Sequence, residues 1–309
     1  MTDRFRLVHI VDDVPDLDTR PEGAVGPVLL VALDGFLDAG NASQLAIAQL
    51  LGEDAGRVVA SFEIDAFFDY RARRPPLAFV EDHYESYSPP RLVTRLLHDA
   101  RQAPYLLLHG PEPDTQWEAF VGSVREVVEH FGVRLTVSLG AVPMAVPHTR
   151  PVMVTNHATR PELLMGENIW RGAIQVPASA AAVLELRLGE WGHDAMGFVC
   201  HVPHYVSQVD YPAAAAKLLE SVEVVTGLQW DLEPLVRAGA EREAEIDRQI
   251  ADSPEVVEVV RGLEQQYDTF RRADDASSLP LADERDLPSA EELGAEFERF
   301  LAGLDRDED

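Results

Sequence analysis

Cysteine is nearly missing from this chain: Cys200 is the single one in 309 residues. That excludes an internal disulfide and any all-cysteine zinc site. Lysine is equally scarce. Lys217 is the one lysine among 26 basic residues, so nearly all positive charge is guanidinium, the group suited to bidentate carboxylate pairing. The 54 acidic residues outweigh it and leave a net charge of −28, with a pI near 4.6. A surface of that sign repels phosphate backbones and anionic lipid heads, so neither nucleic acid nor a membrane is expected as a partner. Arg71, Arg73 and Arg74 form the one dense basic cluster; three arginines do not make a groove, and they read as a surface or interface patch. No apolar stretch approaches the ~18 residues of a spanning helix, and no signal-peptide core follows Met1. A cytoplasmic location is the expectation.

Catalytic signatures are also lacking. Neither GxxxxGK[ST] nor GxGxxG occurs, and no serine or cysteine stands in a nucleophile-elbow context. What the chain does have is 46% hydrophobic residues, enough for one large core or a core with an appendage.

The run Gly26 to Phe36 (GPVLLVALDGF) reads as a strand buried on both faces. A helix is expected from about Asn41, with Asn41 as N-cap and Gln44 at N3. Arg57 to Ile64 is the next strand, so the chain opens as a βαβ unit. Leu92 to Leu97 and Tyr105 to His109 read as a strand pair. Thr115 to Glu118 is a T-x-x-E capping box before an apolar stripe that includes Phe120, Val124, Val127 and Phe131. Gly132 closes that helix, and Val133 to Leu139 is a strand. Val152 to Thr155 and Gly197 to Cys200 are further strands; Ala178 to Leu188 and Pro212 to Val225 are helices. The pattern defines an α/β core domain over residues 1–229.

The remainder is different. Leu232, Leu235, Gly239, Ile246 and Ile250 share one helical face, and Ser253-Pro254 is a restart signal. Val256, Val260, Leu263, Tyr267 and Phe270 then make a heptad-like seam. A helical hairpin is expected over residues 230–273, followed by an acidic linker and a short C-terminal helix over 274–309. From residue 231 on there are 24 acidic and nine basic residues, which reads first as a solvated helical surface.

Four clusters carry polar chemistry. Asp34 and Asp38 flank a glycine-bearing loop ahead of a helix, where backbone N–H groups cradle anions, but two carboxylates oppose phosphate and a structural turn is the favoured reading. His109, with Glu112, Asp114 and Trp117, stands at a strand end; an acid–base pair or carboxylates placed by the helix dipole both fit. His148, Thr149 and Arg150 lie in a proline-bracketed loop beyond a strand, the usual ligand position in an open α/β sheet. His204 and Tyr205 follow Cys200-His201, a spacing too tight for a tetrahedral metal site. No metal and no cofactor are expected.

Five segments in this order, LDGFLDAGNA (Leu33 to Ala42), FFDYRARRP (Phe67 to Pro75), LLLHGPEPDTQW (Leu106 to Trp117), PHTRP (Pro147 to Pro151) and VPHYV (Val202 to Val206), resemble the proteasome assembly chaperone 2 family in its actinobacterial branch. The resemblance implies a three-layer αβα fold with a nucleoside-phosphorylase-like central sheet. It also implies self-association, with a trimer among the expected sizes, and a role in binding protein partners such as proteasome subunits. No catalysis is expected on this reading; the competing reading is a small-molecule-binding or hydrolytic enzyme using the crevice at the strand C-termini. The terminal Leu304-Asp-Arg-Asp-Glu-Asp309 departs from the hydrophobic-Tyr-any ending with which ring-docking chaperones of this kind anchor themselves.

Overall fold

The computed structural model describes residues 6–18, 25–35, 38–52, 55–165, 173–251 and 253–276, with side chains to residue 272. The expected linker and final helix beyond residue 276 lie outside the described residues. Residues 1–267 form one compact unit and residues 268–309 a second.

Among the described residues ten strands occur in chain order: β1 (Val8–Ile10), β2 (Val28–Asp34), β3 (Arg57–Phe62), β4 (Leu77–Val80), β5 (His83–Tyr87), β6 (Val93–His98), β7 (Pro104–Pro111), β8 (Leu135–Met144), β9 (Val154–Ala158) and β10 (Ala195–Pro203). The helices are α1 (Pro15–Asp18), α2 (Ala42–Leu51), α3 (Ile64–Phe67), α4 (Trp117–Phe131), α5 (Ala180–Glu190), α6 (Pro212–Thr226), α7 (Glu233–Ile250) and α8 (Pro254–Ala276). Eight strands make one mixed sheet in the order β1-β3-β6-β7-β2-β8-β10-β9, and β4 pairs with β5 in a separate hairpin. The centre, β7-β2-β8-β10, is parallel; the flanks are antiparallel.

The continuous apolar run of β2 is explained by burial on both faces. Leu30 and Ala32 pack with α2 and α6, while Leu29 and Val31 pack with α4 and α5. Alternation thus divides one hydrophobic run between two cores, and helices cover each side of the sheet. The αβα architecture follows from this. Among the described residues no helix is long and apolar enough to cross a membrane.

Two expected helix caps do not form. Asn41 takes a left-handed conformation (φ 50°) and makes no cap. The Asp38 carboxylate instead accepts the N–H groups of Ser43 (2.7 Å) and Gln44 (3.1 Å). The T-x-x-E box does not form either: Gln116, at φ 56°, precedes α4. Thr115 donates to the Ala66 carbonyl at 3.1 Å, and Glu118 pairs with Arg187 at 2.6 Å. In both places a longer-range partner is available that the local pattern does not encode. Gly132 does close α4 as expected, left-handed at φ 59°.

Of the basic cluster, Arg73 is used internally. It pairs with Asp114 at 2.8 Å and lies 4.7 Å over the Phe68 ring. Arg71 and Arg74 are exposed.

Candidate functional site: the strand-end loop and its helical clasp

β8 and β10 are parallel neighbours, with Val202 opposite Pro143 and Pro203 opposite Met144. Their ends therefore deliver the Pro147–Pro151 loop and the His204–Val206 turn to the same edge of the sheet. There the His148 backbone N–H donates to the Tyr205 hydroxyl at 2.9 Å, and His148 Nδ1 lies 2.7 Å from the same oxygen. His148 Nε2 lies 3.0 Å from an Asp247 carboxylate oxygen on α7. A carboxylate only accepts, so Nε2 donates to Asp247, and the Tyr205 hydroxyl is within hydrogen-bond reach of Nδ1. The imidazole is held at both ring nitrogens and the residue also by its backbone N–H, and its side chain is fully buried. His204 stacks edge-on against Tyr205, ring centroids 5.3 Å apart. Burial pushes the Tyr205 phenol up to about 12.

The rest of the loop is clasped by α8. Thr149 Oγ1 and Arg150 Nη1 both donate to Glu264 Oε1, the latter at 3.1 Å, and the Tyr267 hydroxyl donates to the Pro151 carbonyl at 2.9 Å. Beside this loop, α6 and α7 leave an open groove of about 680 Å³. The floor is low because a Cβ on Gly239 would stand only 3.1–3.2 Å from Ala213 of α6. Burial pushes the Glu243 carboxyl in this groove above its usual range.

The structure brings together His148, Thr149, Arg150, His204 and Tyr205, and adds Asp247 and Glu264 from the two C-terminal helices. The other candidates lie elsewhere along the sheet edge. Asp38 caps α2, and burial raises its carboxyl above the usual range. The Asp34 carbonyl accepts the Glu112 N–H at 2.9 Å. His109 accepts from Arg95 Nε at 3.0 Å; burial, and then the Arg95 charge, lower it to about 4. Trp117 Nε1 donates to the Pro113 carbonyl at 2.6 Å.

A polar shelf on the α5 side of the sheet escaped the sequence reading. In register, Ser138, Gly197 and His157 lie side by side across β8, β10 and β9. A Cβ on Gly197 would collide with both Ser138 Oγ and the His157 ring, so the glycine lets the imidazole lie across the strand. His157 Nδ1 is 2.8 Å from Glu185 of α5. Four residues further along β10 lies buried His201, its Nε2 2.8 Å from the Thr155 hydroxyl and its Nδ1 without a hydrogen-bond partner among the described residues. Burial lowers this imidazole to about 4. Only the strand register reveals this row; the four residues are scattered over 64 positions.

A three-layer αβα domain whose strand-end loop is clasped by appended helices is the class this architecture defines. The PAC2 family model matches residues 32–250, and the chain belongs to that family. A Mycobacterium tuberculosis protein of unknown function is similar at 46% identity, over 89% of this chain and 93% of that one, with a TM-score of 0.82. A Mycobacterium tuberculosis proteasome-assembly chaperone homologue is 28% identical over 75% of this chain and 99% of its own, TM-score 0.67. A PAC2 family protein of Streptomyces avermitilis is 29% identical, covering 76% and 99%, TM-score 0.66. No curated protein matches the chain.

Proposed function

We propose that this protein is a protein-binding, assembly-modulating factor that works as a self-associating α/β core, with subunits of a self-assembling complex such as the proteasome as its partner. The observation that carries the reading is its 28% identity to a proteasome-assembly chaperone homologue along 99% of that chain. The strand-end loop agrees with it. His148, Thr149 and Arg150 are engaged by Tyr205, Asp247 and Glu264, which suits a scaffold that presents a surface. The test is reconstitution: dissociated proteasome subunits are reassembled with and without the purified protein. A changed rate or yield of assembled particle at stoichiometric amounts is the expected result; identical time courses would contradict the reading.

A second reading, small-molecule binding, is favoured by the buried His201, whose Nε2 meets Thr155 and whose Nδ1 has no hydrogen-bond partner among the described residues. Screening nucleosides and small phosphorylated compounds by thermal shift tests it. Stabilisation lost in His201→Gln supports the shelf, and no stabilising compound removes it.

A further inference from the structure

Neighbouring strands bring a hydroxyl and an imidazole together over one glycine. Ser138 of β8 and His157 of β9 flank Gly197 of β10 in register. The point that a Cβ on Gly197 would occupy is 2.4 Å from Ser138 Oγ and 2.7 Å from His157 Nε2. The two atoms therefore stand at most about 5 Å apart, within the loosened range of a nucleophile and its base before substrate binds. Behind the ring, His157 Nδ1 lies 2.9 and 2.8 Å from the two Glu185 carboxylate oxygens. Since a carboxylate cannot donate, Nδ1 is the donor there. Nε2, the atom turned to Ser138, makes no hydrogen bond among the described residues. The Ser138 hydroxyl is 3.5 Å from the Met196 carbonyl, too far to be held by it. Hydroxyl, imidazole and carboxylate in this sequence are the parts of a serine triad, which geometry and roles define whatever the fold.

The constellation is open to solvent. The His157 side chain is 40% exposed and that of Glu185 15%. Along β8, Ser138, Gly140 and Val142 are half-buried on this face, whereas Val137, Leu139 and Ala141 on the other are buried. A Cβ on Gly140 would meet nothing closer than 4.0 Å, so there is room for a small group one step along the strand from Ser138. Val199 and Thr155 stand level with Gly140. Buried His201 reaches Thr155 through Nε2, and its Nδ1 has no partner among the described residues. None of these shelf residues carries a guanidinium or ammonium group, so the space suits an uncharged acyl group.

We propose that Ser138, His157 and Glu185 form a nucleophilic triad that hydrolyses uncharged esters whose small acyl group, of acetyl size, sits over Gly140. This rests on the small-molecule reading of the polar shelf and stands beside protein binding rather than replacing it. Ser138 Oγ attacks the ester carbonyl carbon while its proton passes to His157 Nε2 and the carbonyl electron pair moves onto oxygen. That pair returns as the carbon–alkoxy bond breaks, and the leaving alkoxide takes the proton from Nε2. An acyl-Ser138 remains. Water then attacks it, gives its proton to Nε2, and releases the carboxylic acid as that proton restores the Ser138 hydroxyl. Glu185 is a positioning residue that orients the imidazole and balances its transient charge.

The test uses the full chain and two probes, a fluorophosphonate that labels activated serines and p-nitrophenyl acetate. Peptide mass spectrometry is expected to place the fluorophosphonate label on Ser138. Release of p-nitrophenol should fall roughly 100-fold or more in Ser138→Ala and in His157→Gln. In Glu185→Gln the rate falls too, and the acid limb of its pH profile moves to lower pH, because the imidazolium has lost its counter-charge. A change in packing alone would not move that limb. His83→Gln, on an exposed strand, keeps the native rate and controls for surface histidines; circular dichroism checks each fold. No label on Ser138 in the native chain overturns the triad, and so does p-nitrophenol release that survives Ser138→Ala unchanged. If a compound stabilises the chain through His201 while Ser138 stays unlabelled, the shelf remains a binding site and the triad alone is removed.

Discussion

Tyr205 shows most directly how one atom organises the strand-end loop. Its hydroxyl accepts the His148 N–H and is also the hydrogen-bond partner of His148 Nδ1. Tyr205→Phe leaves both groups buried without a partner, and each orphaned polar group costs about 1–3 kcal/mol. Urea unfolding is expected to show a loss of about 2 kcal/mol, after part of the cost is relieved by water entry. His201 sets a pH dependence. Its native imidazole is held near 4 by burial, whereas an unfolded histidine titrates near its ordinary ~6.5. Above the unfolded value both states are neutral and its contribution is complete. As pH falls from there towards 4, the unfolded chain takes up the proton first and stability declines; His109, also lowered to about 4, acts in the same window. Unfolding free energies measured between these pH values should fall, and should fall less in His201→Gln; equal slopes would show that His201 is not held neutral. The identity of these residues as polar groups near strand ends was legible in the sequence. Their partners were not, because Asp247 stands 99 positions from His148 and Glu264 stands 115 from Thr149.

Elements with strong periodicity are where sequence and structure agree: β2, α4, β8 and α6 are all readable from apolar runs, stripes and flanking glycines. The β4–β5 hairpin was illegible for an identifiable reason. Its two-residue turn is Glu81-Asp82, with Glu81 at φ 51°, where Asn-Gly or Asp-Gly would have signalled a reversal. Its strands also lack the alternation of a half-buried sheet, because both faces are open. The cap of α2 was misread because Asp38 takes the place of Asn41, and that of α4 because the Thr115 and Gln116 side chains both donate to the Ala66 carbonyl instead. Asp38→Ala, which leaves Ser43 and Gln44 N–H groups without an acceptor, should cost about 1 kcal/mol on thermal or urea unfolding. At the α6–α7 contact, Gly239→Val drives two methyl groups into Ala213 and should cost about 1–3 kcal/mol through overpacking. If Gly239→Val is neutral in stability, the two helices are not in the close contact described.

At the scale of the molecule, charge and fold act in opposite directions. A net charge of −28 favours solubility and disfavours association, yet the β4–β5 hairpin exposes Phe79, Tyr84 and Tyr87. Membership of the PAC2 family was legible from five short segments in order, each weak alone, because they mark the loops at the sheet's ends, where fold constrains sequence least and surface function constrains it most. The measurement that tests the central claim most directly is affinity capture of the tagged full chain from its own cell extract, with the stoichiometry of co-purifying proteins read by mass spectrometry. Near-stoichiometric recovery of proteasome subunits or of another self-assembling protein is the predicted result. Recovery of the chain with no partner at any comparable yield would contradict a protein-binding role.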